Sequence, residues 1–134
     1  MRLVDPTTGI EVLPEDECLR RLAEHTVGRL VLIGGGDADI FPVNYVLVGR
    51  TIVFRTAGGT KWRDGPRGRA AFEIDELDPT TRSGWSVVVH GRLEDADERH
   101  PDTASLGLDP WSAHDKPHVM RLVGETISGR RLPG

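Results

Sequence analysis

Apolar and polar residues change their spacing several times along the chain, and each change marks an element. Residues 14–25 (PEDECLRRLAEH) carry apolar side chains at helical spacing, with Cys18, Leu19, Leu22 and Ala23 forming one stripe. Acids Glu15, Asp16 and Glu17 fill the first turn, where the helix dipole favours them. After His25 the period shortens towards two. Residues 27–33, 40–48 and 51–56 read as strands, separated by the glycine-rich turn at 34–37 and by the tight turn Gly49-Arg50. Pro42 lacks an N–H for a ladder, so its backbone is expected at a sheet edge or bulge, where a ligand can approach.

Residues 57–68, rich in Gly, Pro and Arg, read as a loop with one helical turn. A fourth strand is expected at 69–74, a polar connection at 75–83, and a long, bent strand at 84–96. Residues 100–108 suggest a short helix and 118–127 a final strand. Six strands without αβ alternation favour an antiparallel barrel, because closure removes exposed strand edges.

A chain of 134 residues can bury one good core, so residues 1–134 are read as a single domain. Charged residues at 28% and hydrophobic ones at 37% exclude disorder and membrane embedding. Residues 1–6 lack the apolar stretch of a secretory signal, which makes the cytoplasm the expected compartment. One cysteine, Cys18, excludes an internal disulfide and reads as a small core residue, with a reactive thiol as the alternative. The net charge of −4 argues against general nucleic-acid binding, yet residues 55–69 hold Arg55, Lys61, Arg63, Arg67 and Arg69 against Asp64 alone. Such an island suits a compact anion such as a phosphate.

Candidate chemistry concentrates there. In Phe54, Arg55, Thr56, Ala57, Gly58, Gly59, Thr60, Lys61 a strand ends on a guanidinium, two glycines permit a tight turn, and hydroxyls and an ammonium follow. Successive N–H groups in such a turn can hold an anion beside the two cations. The pattern is not a P-loop, and a solvated hairpin exit is the competing reading. Ser83, Gly84, Trp85, Ser86 open the long strand: the indole could cover the edge of a flat ring or plug the end of the barrel. It does not form a nucleophile elbow, because Val88 stands where a glycine is required. His114 and His118 are spaced as in helical zinc sites, but Pro117 intervenes and the glutamate of that motif is missing, so no metal is expected. The acid groups 75–78 and 94–98 read as solvated strand ends.

Taken in order, Val27-Gly28-Arg29-Leu30, Pro42-Val43-Asn44-Tyr45, Phe54-Arg55-Thr56-Ala57-Gly58, Lys61, Phe72-Glu73-Ile74-Asp75, Ser83-Gly84-Trp85-Ser86-Val87 and Gly91-Arg92 resemble the pyridoxamine 5′-phosphate oxidase-like group of flavin-binding split barrels. The resemblance spans about residues 14–131. It implies a mainly β, six-stranded antiparallel Greek-key split barrel with short helices, a homodimer, and FMN in clefts between the subunits. Pro42, Val43, Asn44 and Tyr45 would then border the isoalloxazine, with Asn44 and Tyr45 tuning the ring. Arg55, Thr56, Ala57 and Lys61 would form the phosphate site, Trp85 and Ser86 would reach in from the second subunit, and Trp111 would lie near the flavin. The implied activity is an FMN-dependent oxidoreductase acting with a small-molecule electron donor and acceptor. Alternatives are a non-catalytic flavin carrier or sensor and a reductase using the deazaflavin F420; an oligonucleotide-binding barrel is disfavoured by the acidic balance. Vitamin B6 oxidation is not expected, because residues 128–132 (SGRRL) lack the histidine of the Arg and His pair that engages the vitamin in that enzyme.

Overall fold

The computed structural model describes residues 3–34, 36–56, 68–95 and 118–134, with the backbone alone at 34, 56 and 118. Within them the chain forms β1 (Leu3–Val4), β2 (Glu11–Leu13), α1 (Glu15–Glu24), β3 (Val27–Gly34), β4 (Asp37–Val48), β5 (Thr51–Thr56), β6 (Arg69–Asp78), β7 (Ser83–Asp95) and β8 (His118–Leu132). Every pairing is antiparallel. The six long strands run β8-β5-β4-β3-β6-β7, and a further pairing of β7 with β8 closes them into a barrel. Because β6 returns to lie beside β3, the order β6-β3-β4-β5 is a Greek key.

The expected six-strand barrel is therefore present, with β1 and β2 as short additions outside β8. Two strands outrun their expected ends. β6 continues through the acidic residues to Asp78, paired with Ser83, and Asp78 Oδ1 accepts the N–H groups of Thr80 and Thr81 to form the turn. β8 continues to Leu132, held at 129–131 by β2 on one side and β7 on the other. The long strand β7 carries its expected irregularity as a register shift between His90 and Gly91. The helix expected at 100–108 and the loop at 57–67 lie outside the described residues.

Alternation sends Leu30, Tyr45, Phe54, Phe72, Val87 and Leu122 into one core. Gly28 is required by a close approach: a Cβ there would lie 2.1 Å from Cζ of Phe72, whose ring occupies that space. α1 lies against the barrel through Cys18 and Leu22, both fully buried, and Gly129 beneath leaves room for the Cys18 sulfur. Burial pushes the Cys18 thiol above its ordinary value. The expected stripe needs one correction. Leu19 is half-buried and Ala23 is exposed. Arg21 is instead turned onto the barrel, its guanidinium 4.6 Å from the centre of the Trp85 ring. Among the described residues no helix is long and apolar enough to cross a membrane.

Candidate functional site

Strand alternation divides the segment at Pro42 into two sets. Val43 and Tyr45 turn inward with the core, whereas Pro42 and Asn44 face the outside of the barrel. The Tyr45 N–H bonds the Thr26 carbonyl at 2.9 Å, so by antiparallel alternation the Pro42 nitrogen points away from β3 and no bond to β3 is lost. On its other side Pro42 lies beyond the last β4–β5 pair, Tyr45 with Phe54. Pro42 thus stands on an exposed stretch of β4, as expected for a proline in this strand. Tyr45 is committed to the fold. It is 2% exposed, its ring meets Phe72 edge-on at 4.7 Å, and its hydroxyl donates to the Leu22 carbonyl at 2.5 Å. A ligand outside the barrel cannot reach that side chain, which corrects its expected ring-tuning role.

At the end of β5, Arg55 is half-buried and faces outward, on the same side as Asn44 and beside Val119 of β8. Thr56 follows, paired with His118, a histidine that the sequence reading did not bring near this corner. Val53 and Val119 also face outward here, yet they are only 0% and 2% exposed. The open wall is on β3 and β4, where Ile33 and Ile40 are 61% and 62% exposed. Ala57, Lys61 and Trp111 lie outside the described residues, as do Arg63 and Arg67 of the basic island. Arg69 is paired with Glu125 at 3.0 Å.

Trp85 and Ser86 separate in the same way. The Trp85 ring turns inward and plugs the barrel end, 8% exposed, with its N–H on Glu76 at 3.3 Å and His25 edge-on at 5.2 Å. Of the two expected roles, the ring therefore has the plugging one, and the indole is not presented to the outside. Ser86 faces outward from β7, opposite Asp75 and Arg130. In the ring of six strands β7 is three steps from β4 in either direction. Ser86 and Asn44 thus lie on opposite sides of one barrel, and no compact ligand can touch both within a single chain.

One outward group was missed by the sequence reading. Arg29 of β3, beside Pro42 in register, places its Nη1 2.8 Å from Glu73 and 2.9 Å from Asp75 of β6. Burial, and then the neighbouring Asp75 carboxyl, push Glu73 above the usual carboxylate range, while Arg29 opposes them. The result is a charged cluster flanking the exposed Pro42 stretch. A separate shallow cleft of about 270 Å³ lies at the β6–β7 hairpin end, lined by Glu76, Trp85 and Arg131 among others.

Comparison with known proteins agrees with this architecture. An uncharacterized protein of Mycobacterium tuberculosis strain H37Rv is 33% identical over 140 residues, covering 98% of this chain and 92% of that protein. The structure of an FAD binding protein from Mycobacterium smegmatis superposes with a TM-score of 0.74 at 33% identity, covering 90% of this chain and 96% of that one. An FAD-binding protein from Mesorhizobium loti gives a TM-score of 0.68 at 26% identity, covering 92% of this chain and 98% of that one. The profile of the pyridoxamine 5′-phosphate oxidase family matches residues 14–131, and with a mainly β split barrel of that group's kind the chain belongs to this family.

Proposed function

We propose that this protein is a flavin-dependent oxidoreductase that holds the flavin outside its barrel, with the isoalloxazine over β4 at Pro42 and Asn44 and the ribityl phosphate at Arg55. The carrying observation is geometric: a half-buried guanidinium at the end of β5 faces the same way as Asn44 and the exposed Pro42. The residues fit such a group. Pro42 offers a flat apolar surface without a competing N–H, Asn44 can hydrogen-bond a ring heteroatom, and Arg55 can neutralise a phosphate. When bound, a flavin supplies hydride transfer; the protein supplies orientation, exclusion of water and charge.

FMN follows from the sequence resemblance, whereas the FAD-binding relatives favour the dinucleotide, which contains the same ribityl phosphate. A second chain belongs to the proposal. Ser86 can approach a flavin seated on Asn44 only from another copy, since β7 and β4 are opposed in one barrel. The exposed Ile33 and Ile40 on β3 and β4 support a homodimer with two equivalent clefts.

Titrating the protein with FMN, FAD and F420, with flavin fluorescence or absorbance as readout, tests the reading. A flavin is expected to bind and Arg55→Ala to weaken it by about tenfold to a hundredfold, the worth of one charge-assisted hydrogen bond. Chromatography with light scattering should return twice the mass of 14.7 kDa. Failure of every flavin to bind, or equal binding by Arg55→Ala, would overturn the site. Stopped-flow reduction by NADH or NADPH then separates an oxidoreductase from a carrier.

A further inference from the structure

Resting on the flavin site and second chain proposed above, we infer that the outer face of β7, β8, β2 and β1 is an adenylate platform, which holds the second phosphate and the adenine of an FAD seated on the other copy. Four strands carry it in register. Ser86 of β7 lies opposite Arg130 of β8, Arg130 opposite Val12 of β2, and Val12 opposite Leu3 of β1. The four side chains share the outward side, since Val87, Gly129 and Leu13, their neighbours along the strands, are buried within. At about 4.8 Å per strand the row runs about 14 Å from Ser86 to Leu3.

The charge in this row has no partner. Elsewhere on the strands Arg29 is paired with Glu73 and Asp75, Arg121 with Glu94, and Arg131 with Glu11. Arg130 is exposed and makes no hydrogen bond or ion pair among the described residues. The two carboxylates nearest in the row are engaged: Asp5 accepts the N–H groups of Thr7 and Thr8, and Asp75, beyond Ser86, is held by Arg29 at 2.9 Å. The Arg130 guanidinium is therefore free to take an anion from outside. Past it the surface is apolar. Leu3 and Val12 are 70% and 47% exposed, and Leu132, two residues further along the same side of β8, is 47% exposed. An apolar shelf with one unpaired cation at its near end suits a flat, uncharged ring that hangs from a phosphate.

This is the chemistry by which FAD differs from FMN. The two share the ring, the ribityl chain and the first phosphate; FAD adds a second phosphate, a ribose and adenine. In the proposed site the ring lies over Pro42 and Asn44, the first phosphate lies at Arg55, and Ser86 arrives from the second copy. Arg130 arrives with Ser86, because Cβ atoms of directly opposed strand residues are only about 5 Å apart. Val12 and Leu3 continue the surface beyond it. Arg130 cannot serve the site of its own chain: Val119, the β8 residue beside Arg55, is separated from it by about 36 Å of strand. Each cofactor thus takes its flavin half from one chain and its adenylate half from the other, and the platform selects the dinucleotide.

Isothermal titration calorimetry of the full-length protein with FMN and with FAD tests this. Wild type should bind FAD at least about tenfold more tightly than FMN. Arg130→Ala should weaken FAD by about tenfold to a hundredfold and change FMN by less than about twofold, whereas Arg55→Ala should weaken both. Co-expressed Arg55→Ala and Arg130→Ala chains should return about a quarter of all sites with wild-type affinity for FAD, because each mixed dimer holds one site free of both changes. Equal affinity of wild type for the two flavins, equal loss of both in Arg130→Ala, or no restored sites in the mixed dimers overturns the platform and leaves the flavin site standing. Failure of wild type to bind either flavin overturns the flavin site and the platform with it.

Discussion

Replacing Tyr45 with Phe isolates the bond that seats α1 on the barrel. The last four carbonyls of a helix find no partner within it, and with His25 as the C-cap of α1 these belong to residues 22–25. Tyr45 meets one of them, donating its hydroxyl to Leu22 at 2.5 Å. The ring is buried edge-on against Phe72, and a phenylalanine fills the same space without a cavity. What is lost is one donor, leaving a buried carbonyl unpaired at about 1–3 kcal/mol. Removing the hydroxyl also removes its own burial penalty, so about 1–2 kcal/mol is expected. In a domain of this size that lowers Tm by about 4–8 °C. Urea denaturation at fixed protein concentration should give a lower midpoint with an unchanged m-value.

A second arm uses pH. Burial raises the Tyr45 phenol well above its ordinary value near 10. The folded state therefore holds that proton more tightly than the unfolded one, and the contribution is complete below about pH 10 and lost as pH climbs towards the folded value. Both proteins lose the share held by the buried Cys18 thiol, but above about pH 10 wild type should lose more stability than Tyr45→Phe, so the gap between them should narrow. An unchanged midpoint at neutral pH, or a gap that stays constant at alkaline pH, would refute the seating role.

Two further substitutions probe the core and the cluster beside Pro42. Gly28→Ala drives a methyl group into the buried Phe72 ring and should cost about 2–3 kcal/mol, partly recovered in Gly28→Ala with Phe72→Leu; a loss below about 0.5 kcal/mol in urea melts would contradict that packing. Glu73→Gln removes a carboxyl whose charged form is disfavoured by burial and by Asp75. Its stabilising share is present below the usual carboxylate range and lost as pH rises, so the variant should gain on wild type as pH rises from about 4 to 7, read as urea midpoints of the two at each pH. A difference that does not change with pH would show that Arg29 already offsets both effects.

How far the fold could be read from the sequence depended on how each strand meets solvent. β3, β4 and β5 are apolar on both faces, with residues 30–33, 45–48 and 52–54 as continuous runs bounded by turn residues, so they register as strands by composition and by the Gly49-Arg50 turn that joins two of them. The far part of β6 projects beyond the core: Glu76, Leu77 and Asp78 are all exposed, and a strand with both faces wet has no alternation to betray it. In the far part of β8 the inward position is Gly129, which has no side chain to mark it as buried. There the pairing comes from neighbours that the local sequence does not name. β1 and β2, of two and three residues, are too short for any period to register.

The site was legible as a set of segments but not as a set of side chains. Pro42-Val43-Asn44-Tyr45 and Trp85-Ser86 each read as one block, yet adjacent residues on a strand face opposite ways, so each block gives half its side chains to the core. A period of two counted from Val87 puts Trp85 in the interior, and the same count along β4 groups Tyr45 with Val43 rather than with Asn44. Arg29 is a different case. It alternates with the inward Gly28 and Leu30, and Glu73 and Asp75 alternate with the inward Phe72 and Ile74, so the sequence does put all three charges on the outside. What it withholds is that the strands carrying them are neighbours. They lie 44 and 46 residues apart, and only the return of β6 to the side of β3 brings the two carboxylates onto one guanidinium. The same return sets β7 opposite β4. The Greek-key step therefore both builds the cluster beside Pro42 and obliges any ligand that spans Asn44 and Ser86 to recruit a second chain.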